Sequence, residues 1–448
     1  MKTIYAMIFF LSLYVSVHAQ FNAQPLNYPG SGYLPFNINV VDQKHVWVGT
    51  IYTNSGYQPY SQAIKTSDGG ESWQFFNIPV SGQPIISNVC AIDTNKCYYV
   101  FWDGTNGSIW KTEDGGYSWA KKTTTQFDNG YPNFYHAFSA DTGVAMGDPN
   151  GGYFEIYSTI DGGDSWSRVP SANIPAPLSN ENGSTSSYCA SGNNIWFATS
   201  KGRCFKSIDK GLHWTVSGPI DPNPLNENVC FSNDAKGVYY QMTPAFKNYP
   251  SDYYNYWISN DGGTSWTKKS LSPNLKIRYI SKVNGLDGGF FISAYDQNHS
   301  GMVSVLFTPD FFSTIVMVDS LLLSTGESNF LNSSVGWMAG PGRPNNNIYK
   351  YTSIPSSTNS QILENGILSI FPNPSSSAAL LKLPLNKSNQ TRNLQVFDIK
   401  EKLILEKTLE PKLTWTSLQT GELKNGLYFV KIFFDGKMIG AQKWIIIH

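Results

Sequence analysis

One pattern, Ser/Thr-x-Asp-x-Gly-x-x-Trp, occurs five times in this 448-residue chain, at 66–73, 112–119, 159–166, 207–214 and 259–266. Its aspartates, Asp68, Asp114, Asp161, Asp209 and Asp261, stand 46, 47, 48 and 52 residues apart. A degenerate sixth copy, Thr308-Pro309-Asp310, follows 49 residues later without the glycine or the tryptophan. Short strand-like segments separate the copies. A period of about 40–50 residues with this content predicts a β-propeller with one blade per repeat.

The chemistry of the pattern is that of a turn. Ser, Thr and Asp side chains bond nearby backbone amides, and glycine supplies the positive φ that a tight turn requires. Trp73, Trp119, Trp166, Trp214 and Trp266 then offer large apolar surfaces to pack over it. Five identical sites suit a folding device better than catalysis. On these residues the chain resembles the Asp-box (BNR) propellers. That resemblance implies that the aspartates lie structurally in the turn between the third and fourth strands of each blade.

Each repeat has the same order: an inner strand, a short Asp/Asn/Gly turn, a small-residue or aromatic strand, a third strand into the box, and a fourth strand opened by the tryptophan. The second repeat reads 87–92, 97–102, 108–112 and 118–123. Second-strand counterparts at 45–50, 143–147, 195–199, 237–242, 289–294 and 336–340 bring the count to seven units. The last unit, 328–351, lacks an obvious fourth strand. Because a closed ring removes exposed sheet edges, residues 20–27 or their neighbours are expected to supply it.

Residues 1–19 combine Lys2, an apolar run and small residues near position 19, the pattern of a secretory signal peptide cut before Gln20. The propeller is expected over 20–352, a Ser/Thr/Asn-rich linker over 353–365 and a second domain over 366–448. In that tail short alternating strands predict a small Ig-like antiparallel β-sandwich. The tail resembles the type A C-terminal sorting domain of the type IX secretion system of Bacteroidetes. The matching residues are Phe371-Pro372-Asn373-Pro374, Val396-Phe397-Asp398-Ile399 and the run from Leu423 to Ile432. The resemblance implies periplasmic transit, export through that machinery by way of residues 366–448, and a secreted or outer-membrane-surface address. The expected fold class is all-β: a seven-bladed Asp-box propeller followed by the sandwich.

Lys and Arg total 32, as do Asp and Glu, and no long basic run exists, which argues against nucleic-acid binding. No segment after residue 19 is long and apolar enough to read as a membrane helix. Five cysteines leave buried thiols open, as well as a Cys90–Cys97 pair across a turn and a Cys189–Cys204 pair within one blade, with Cys230 left over. No CxxC pair or HxxxH spacing suggests a zinc site, and no cofactor motif is present.

Ligands of propellers meet loops converging on one face or on the channel mouth. The face opposite the boxes is expected to carry two tyrosine-rich loops, 52–60 with Tyr52, Tyr57 and Tyr60, and 243–256 with Tyr249, Tyr253 and Tyr254. Their flat rings and hydroxyls suit stacking on sugars, and equally suit packing between long loops. Asp103, Asp148 and Asp296 follow the second strands of their blades; they could line a ligand site, bind a cation or begin ordinary turns. Glycoside hydrolysis would need two such carboxylates at a set separation. Asp-box sialidases use three arginines and a tyrosine nucleophile, whereas this propeller has Arg168, Arg203, Arg278 and Arg343 and no Arg-Ile-Pro segment near its start. Xyloglucanase-like relatives clamp their polymer between two propellers, and one is read here. The units are also similar to photosystem II stability/assembly-factor propellers, which bind proteins; Gly336-Trp337 fits the first half of their repeat. The expected function is binding of an extracellular polysaccharide or surface protein, with a glycoside hydrolase or lyase and a structural adhesin as the other readings.

Overall fold

The computed structural model describes residues 21–26, 33–52, 62–82, 84–221, 224, 226–242, 255–297, 302–322, 326–332, 335–340, 347–352, 368–371, 375, 378–383, 390–400, 402–411, 413 and 415–446. Apart from one 3-10 turn, Ser171–Asn173, the regular elements among these are all strands. Strands from six consecutive repeats form six four-stranded antiparallel sheets. Their innermost strands are Tyr33–Val40, Ile85–Ala91, Pro132–Ala137, Gly183–Ser191, Glu227–Phe231 and Leu275–Lys282. We call these sheets blades one to six.

The seventh sheet is built differently. Ser328–Asn332, Val335–Gly340 and Asn347–Thr352 supply its three inner strands, and Phe21–Pro25 pairs antiparallel to the last of them, Phe21 opposite Tyr351 and Pro25 opposite Asn347. The N-terminal strand thus gives blade seven its outer edge and joins the two ends of the propeller chain. Phe21 is buried among Phe291, Phe330 and Tyr351, so the closing strand is held by apolar burial as well as by its ladder.

Neighbouring blades pack through aromatic second strands. Trp47, Trp196 and Trp337 sit at like positions on the second strands of blades one, four and seven, and all are fully buried. The box tryptophans meet this layer edge-on: Trp73 lies 5.9 Å from Trp337, and Trp119 6.4 Å from Trp47. Close packing forces a glycine at position 70, where an added Cβ would stand 2.7 Å from the Trp337 ring. Lysines stitch the same seams. Lys65 Nζ donates to the Thr94 carbonyl at 2.7 Å, and Lys350 Nζ to that of Gly69 at 2.6 Å.

The C-terminal strands form two further sheets. Ser369–Phe371, Ala378–Lys382 and Trp415–Gln419 make one; Leu403–Leu409, Arg392–Asp398, Gly426–Phe434 and Lys437–Ile446 make the other. Leu381, Leu394, Val396, Val430, Ile432 and Trp444 fill the space between them. Leu380 packs into a cluster with Phe291, Val305 and Phe307 of blade six, where Trp415 lies 5.9 Å from Phe307.

All five cysteines are free and buried, the buried-thiol alternative, and neither the Cys90–Cys97 nor the Cys189–Cys204 pairing is present. Cys97 pairs across the strands with Ala91 while Cys90 pairs with Tyr98, so alternation of the pleat sends the two sulfurs to opposite faces. Cys189 lies opposite Trp196 on the second strand, and Cys204 on the third strand is opposite Ala198. A whole strand separates that pair.

Candidate functional site

The repeated turns define one face of the propeller. In each box the Ser/Thr hydroxyl donates to the aspartate and receives the amide of the second glycine-position residue: Gly70, Gly116, Gly163, Gly211 and Gly263 at 2.7–2.9 Å. The aspartate Oδ1 then accepts the amide of the residue four positions on, Ser72, Ser118, Ser165, His213 or Ser265, at 2.9–3.0 Å. The serine hydroxyl, followed by the serine amide, holds Asp68, Asp114 and Asp161 down to about 2. The degenerate sixth turn keeps the same bonds without the sequence. Phe312 N donates to Thr308 Oγ1 at 2.8 Å and Thr314 N to Asp310 Oδ1 at 2.7 Å. Phe311 and Phe312 take φ of 54° and 64° where most copies have glycine.

The rim aspartates have distinct partners. Asp103 Oδ1 accepts the amides of Thr105 at 2.9 Å and Asn106 at 2.8 Å, a local Asp-initiated turn. Asp148 Oδ1 accepts Asn133 Nδ2 at 2.8 Å and the Gly183 amide at 2.9 Å, tying blade three to blade four; burial raises its carboxyl above the usual range. Asp296 ends the second strand of blade six opposite Leu275. Tyr52 ends the second strand of blade one opposite Tyr33. Tyr57, Tyr60, Tyr249, Tyr253 and Tyr254 lie outside the described residues.

Other acids of the same face are more enclosed. Glu181 accepts Arg203 Nε at 2.8 Å, the Leu178 amide at 2.7 Å and the Thr199 hydroxyl. Asp221 and Glu227 are 7% and 2% exposed, too little for a polymer to reach either. Burial, then the Asp221 charge, pushes Glu227 up to about 7. The arginines do not gather either. Arg168 donates to the Asn150 carbonyl at 2.5 Å beside the Tyr153 ring, Arg203 is held by Glu181, and Arg278 lies against Tyr279 and Tyr295. Arg343 lies outside the described residues.

The seven innermost strands enclose a cavity of about 340 Å³ along the propeller axis. Asparagines on these strands bridge neighbouring blades: Asn39 Oδ1 accepts the Ala91 amide, and Asn88 Oδ1 that of Tyr135, both at 3.1 Å. At the end away from the boxes, the blade-four strand breaks register between Gly183 and Tyr188, and Ser186 adopts a φ of 57°. This bulge sends the Ser186 hydroxyl across to the Ser87 carbonyl of blade two. Ser186 Oγ also accepts Asn37 Nδ2 at 3.0 Å, and Asn37 Nδ2 in turn donates to Glu327 Oε2 at 3.0 Å. Burial pushes Glu327 up to about 7 despite that bond. Asn37 Oδ1 is buried with no partner among the described residues. The other end holds Lys282, His136 and the thiols of Cys90, Cys189 and Cys230. Lys282 Nζ donates to the Ala190 carbonyl at 2.6 Å, and burial plus the lysine charge pushes His136 down to about 3.

Residues 369–447 match the secretion system C-terminal sorting domain, and residues 65–218 match the family described as photosynthesis system II assembly factor YCF48. A solved YCF48 bound to D1 peptide covers 76% of this chain and 98% of its own at a TM-score of 0.56 and 14% identity. YCF48 from Cyanidioschyzon merolae gives 75%, 99%, 0.54 and 14%. A xyloglucanase from a Paenibacillus species is 23% identical over 54% of this chain, which spans only 27% of that protein. The chain is an Asp-box propeller with a type IX sorting domain.

For this Asp-box propeller the sorting domain points to export to the medium or the outer-membrane surface. Among the described residues no helix is long and apolar enough to cross a membrane, and no group of three or more His, Cys, Asp or Glu side chains could hold a metal ion. Sequence reasoning looked to the rim loops and missed Asn37, Ser186, Lys282 and Glu327. The available signal was polar residues interrupting inner strands that a buried sheet would otherwise fill with apolar side chains.

Proposed function

We propose that this Asp-box propeller is a secreted or surface-displayed binding module. It takes a polar segment of an extracellular polysaccharide or surface protein on the face opposite the boxes, with the polar wall of the central channel behind it. The observation that carries this reading is the state of the acids. Asp103 closes its own turn, Asp148 ties two blades together, and the Asp221–Glu227 neighbours are buried. Glycoside hydrolysis needs an accessible acid and a second carboxylate flanking the scissile bond. Binding needs only convergent donors, acceptors and flat surfaces, and Thr185, Asn228 and Asn329, the less buried polar residues of the channel wall, provide donors and acceptors. The YCF48 propeller solved with a D1 peptide supports a protein-binding role, and the xyloglucanase likeness supports a polysaccharide ligand.

The test is a screen of the full chain against glycan and peptide arrays. The expected result is retention of one ligand class, weakened roughly tenfold by Asn228→Ala through loss of one hydrogen bond, and weakened also by Tyr253→Ala. Retention unaffected by either substitution moves the site off this face, and retention of neither class leaves display of loops as the propeller's role.

A further inference from the structure

Three of the five cysteines, Cys90, Cys189 and Cys230, line the central channel; Cys97 and Cys204 are enclosed in the blades. Two of the three meet. Cys189 lies near the end of the blade-four inner strand and Cys230 near the end of the blade-five inner strand, and both belong to one packed cluster. The Phe231 amide donates to Cys189 Sγ at 3.1 Å, and Cys189 Sγ donates to the Phe231 carbonyl at 3.3 Å. The Cys189 sulfur is therefore seated on the residue next to Cys230, across the seam between blades four and five. Within their own sheets each faces a non-cysteine, Trp196 for Cys189 and Val238 for Cys230. The contact is between blades.

We propose that Cys189 and Cys230 form an inter-blade disulfide when the protein is exported, stapling blade four to blade five at the wall of the central channel. The compartment supplies the condition: a chain carrying a secretion sorting domain crosses an oxidising space, where neighbouring thiols are oxidised. The oxidant is a disulfide carrier of the periplasm acting while the propeller is still closing. The Cys189 thiolate attacks the carrier disulfide and releases one carrier thiolate, giving a mixed disulfide. Cys230, after losing its proton, attacks the Cys189 sulfur, and the second carrier sulfur leaves. Two protein thiols become one disulfide, and the carrier departs as a dithiol holding both protons.

The experiment uses the full chain exported to an oxidising periplasm, denatured in the presence of an alkylating agent and digested without reduction. Mass spectrometry should find the Cys189 peptide joined to the Cys230 peptide, with Cys90, Cys97 and Cys204 alkylated. Reduction before alkylation should add two further alkyl groups and lower the Tm, and a Cys230→Ser protein should show no Tm response to reductant. The peptide map of the unaltered protein decides the matter even where a serine variant fails to fold. Five alkylated cysteines, or a bridge joining any other pair, would overturn the proposal.

Discussion

Asn37 Nδ2 lies 3.0 Å from Glu327 Oε2, so blade one grips the entry to blade seven across the seam near the ends of the ring. Burial outweighs this bond and holds Glu327 protonated up to about 7, against an ordinary value of 4.5. A raised folded-state value means that the Glu327 contribution to stability is fully present below about pH 4.5 and is lost as pH rises through about 7. Glu327→Gln keeps an acceptor for Asn37 and never ionises. Its unfolding free energy should match the parent near pH 4.5 and exceed it by up to about 3 kcal/mol at pH 8. Chemical denaturation at the two pH values checks this, and equal stability at pH 8 would refute it.

The Asp boxes respond with the opposite sign. Asp114 accepts Thr112 Oγ1, Ser118 N and Ser118 Oγ at 2.6–2.9 Å. Its depressed value means its contribution is complete above about pH 4 and disappears as pH falls through about 2. Asp114→Ala should cost about 1 kcal/mol at neutral pH, the exposed site being screened by solvent, and progressively less as the pH falls below about 2. Thermal melts across that range measure the convergence.

In the fourth box Lys210 stands where the four other copies place the first of two glycines, and it carries a φ of 61°. A side chain in this region is strained by its own backbone. Lys210→Gly should stabilise the propeller by about 0.5–1 kcal/mol, net of the entropy that glycine adds to the unfolded chain. A lower Tm for the variant would contradict the turn geometry.

Much of this architecture was legible because its causes are local. The box needs only one hydroxyl, one aspartate and permissive φ angles within eight residues, so five copies announced themselves. Even the sixth kept its Thr308 and Asp310 bonds after losing glycine and tryptophan. The missing fourth strand of the last unit pointed to the N-terminus, and Phe21–Pro25 fills that edge. The channel was hidden for the converse reason. Asn37, Ser186 and Glu327 come from three blades and meet only when the ring closes. The thiols show the same limit: closeness in sequence suggested Cys90 with Cys97, whereas Cys189 and Cys230 meet through the packing of adjacent blades.

Asp148 separates a structural carboxylate from a reactive one. Its Oδ1 receives both Asn133 Nδ2 and the Gly183 amide, and an amide oxygen can do the same. Asp148→Asn should therefore fold with a loss below about 1 kcal/mol, while Asp148→Ala leaves buried donors unpaired and should cost about 2–3 kcal/mol. Urea titration of the two variants tests this ordering.

The most direct test of the central claim pairs retention with turnover. The full chain is incubated with a panel of extracellular polysaccharides and proteins, and bound fraction and released reducing ends are followed together. The binding account predicts retention on a ligand with no release above buffer, unchanged in Asp148→Asn. Release that rises with time and is abolished by Asp148→Asn or Glu227→Gln would contradict it and make this propeller a glycoside hydrolase.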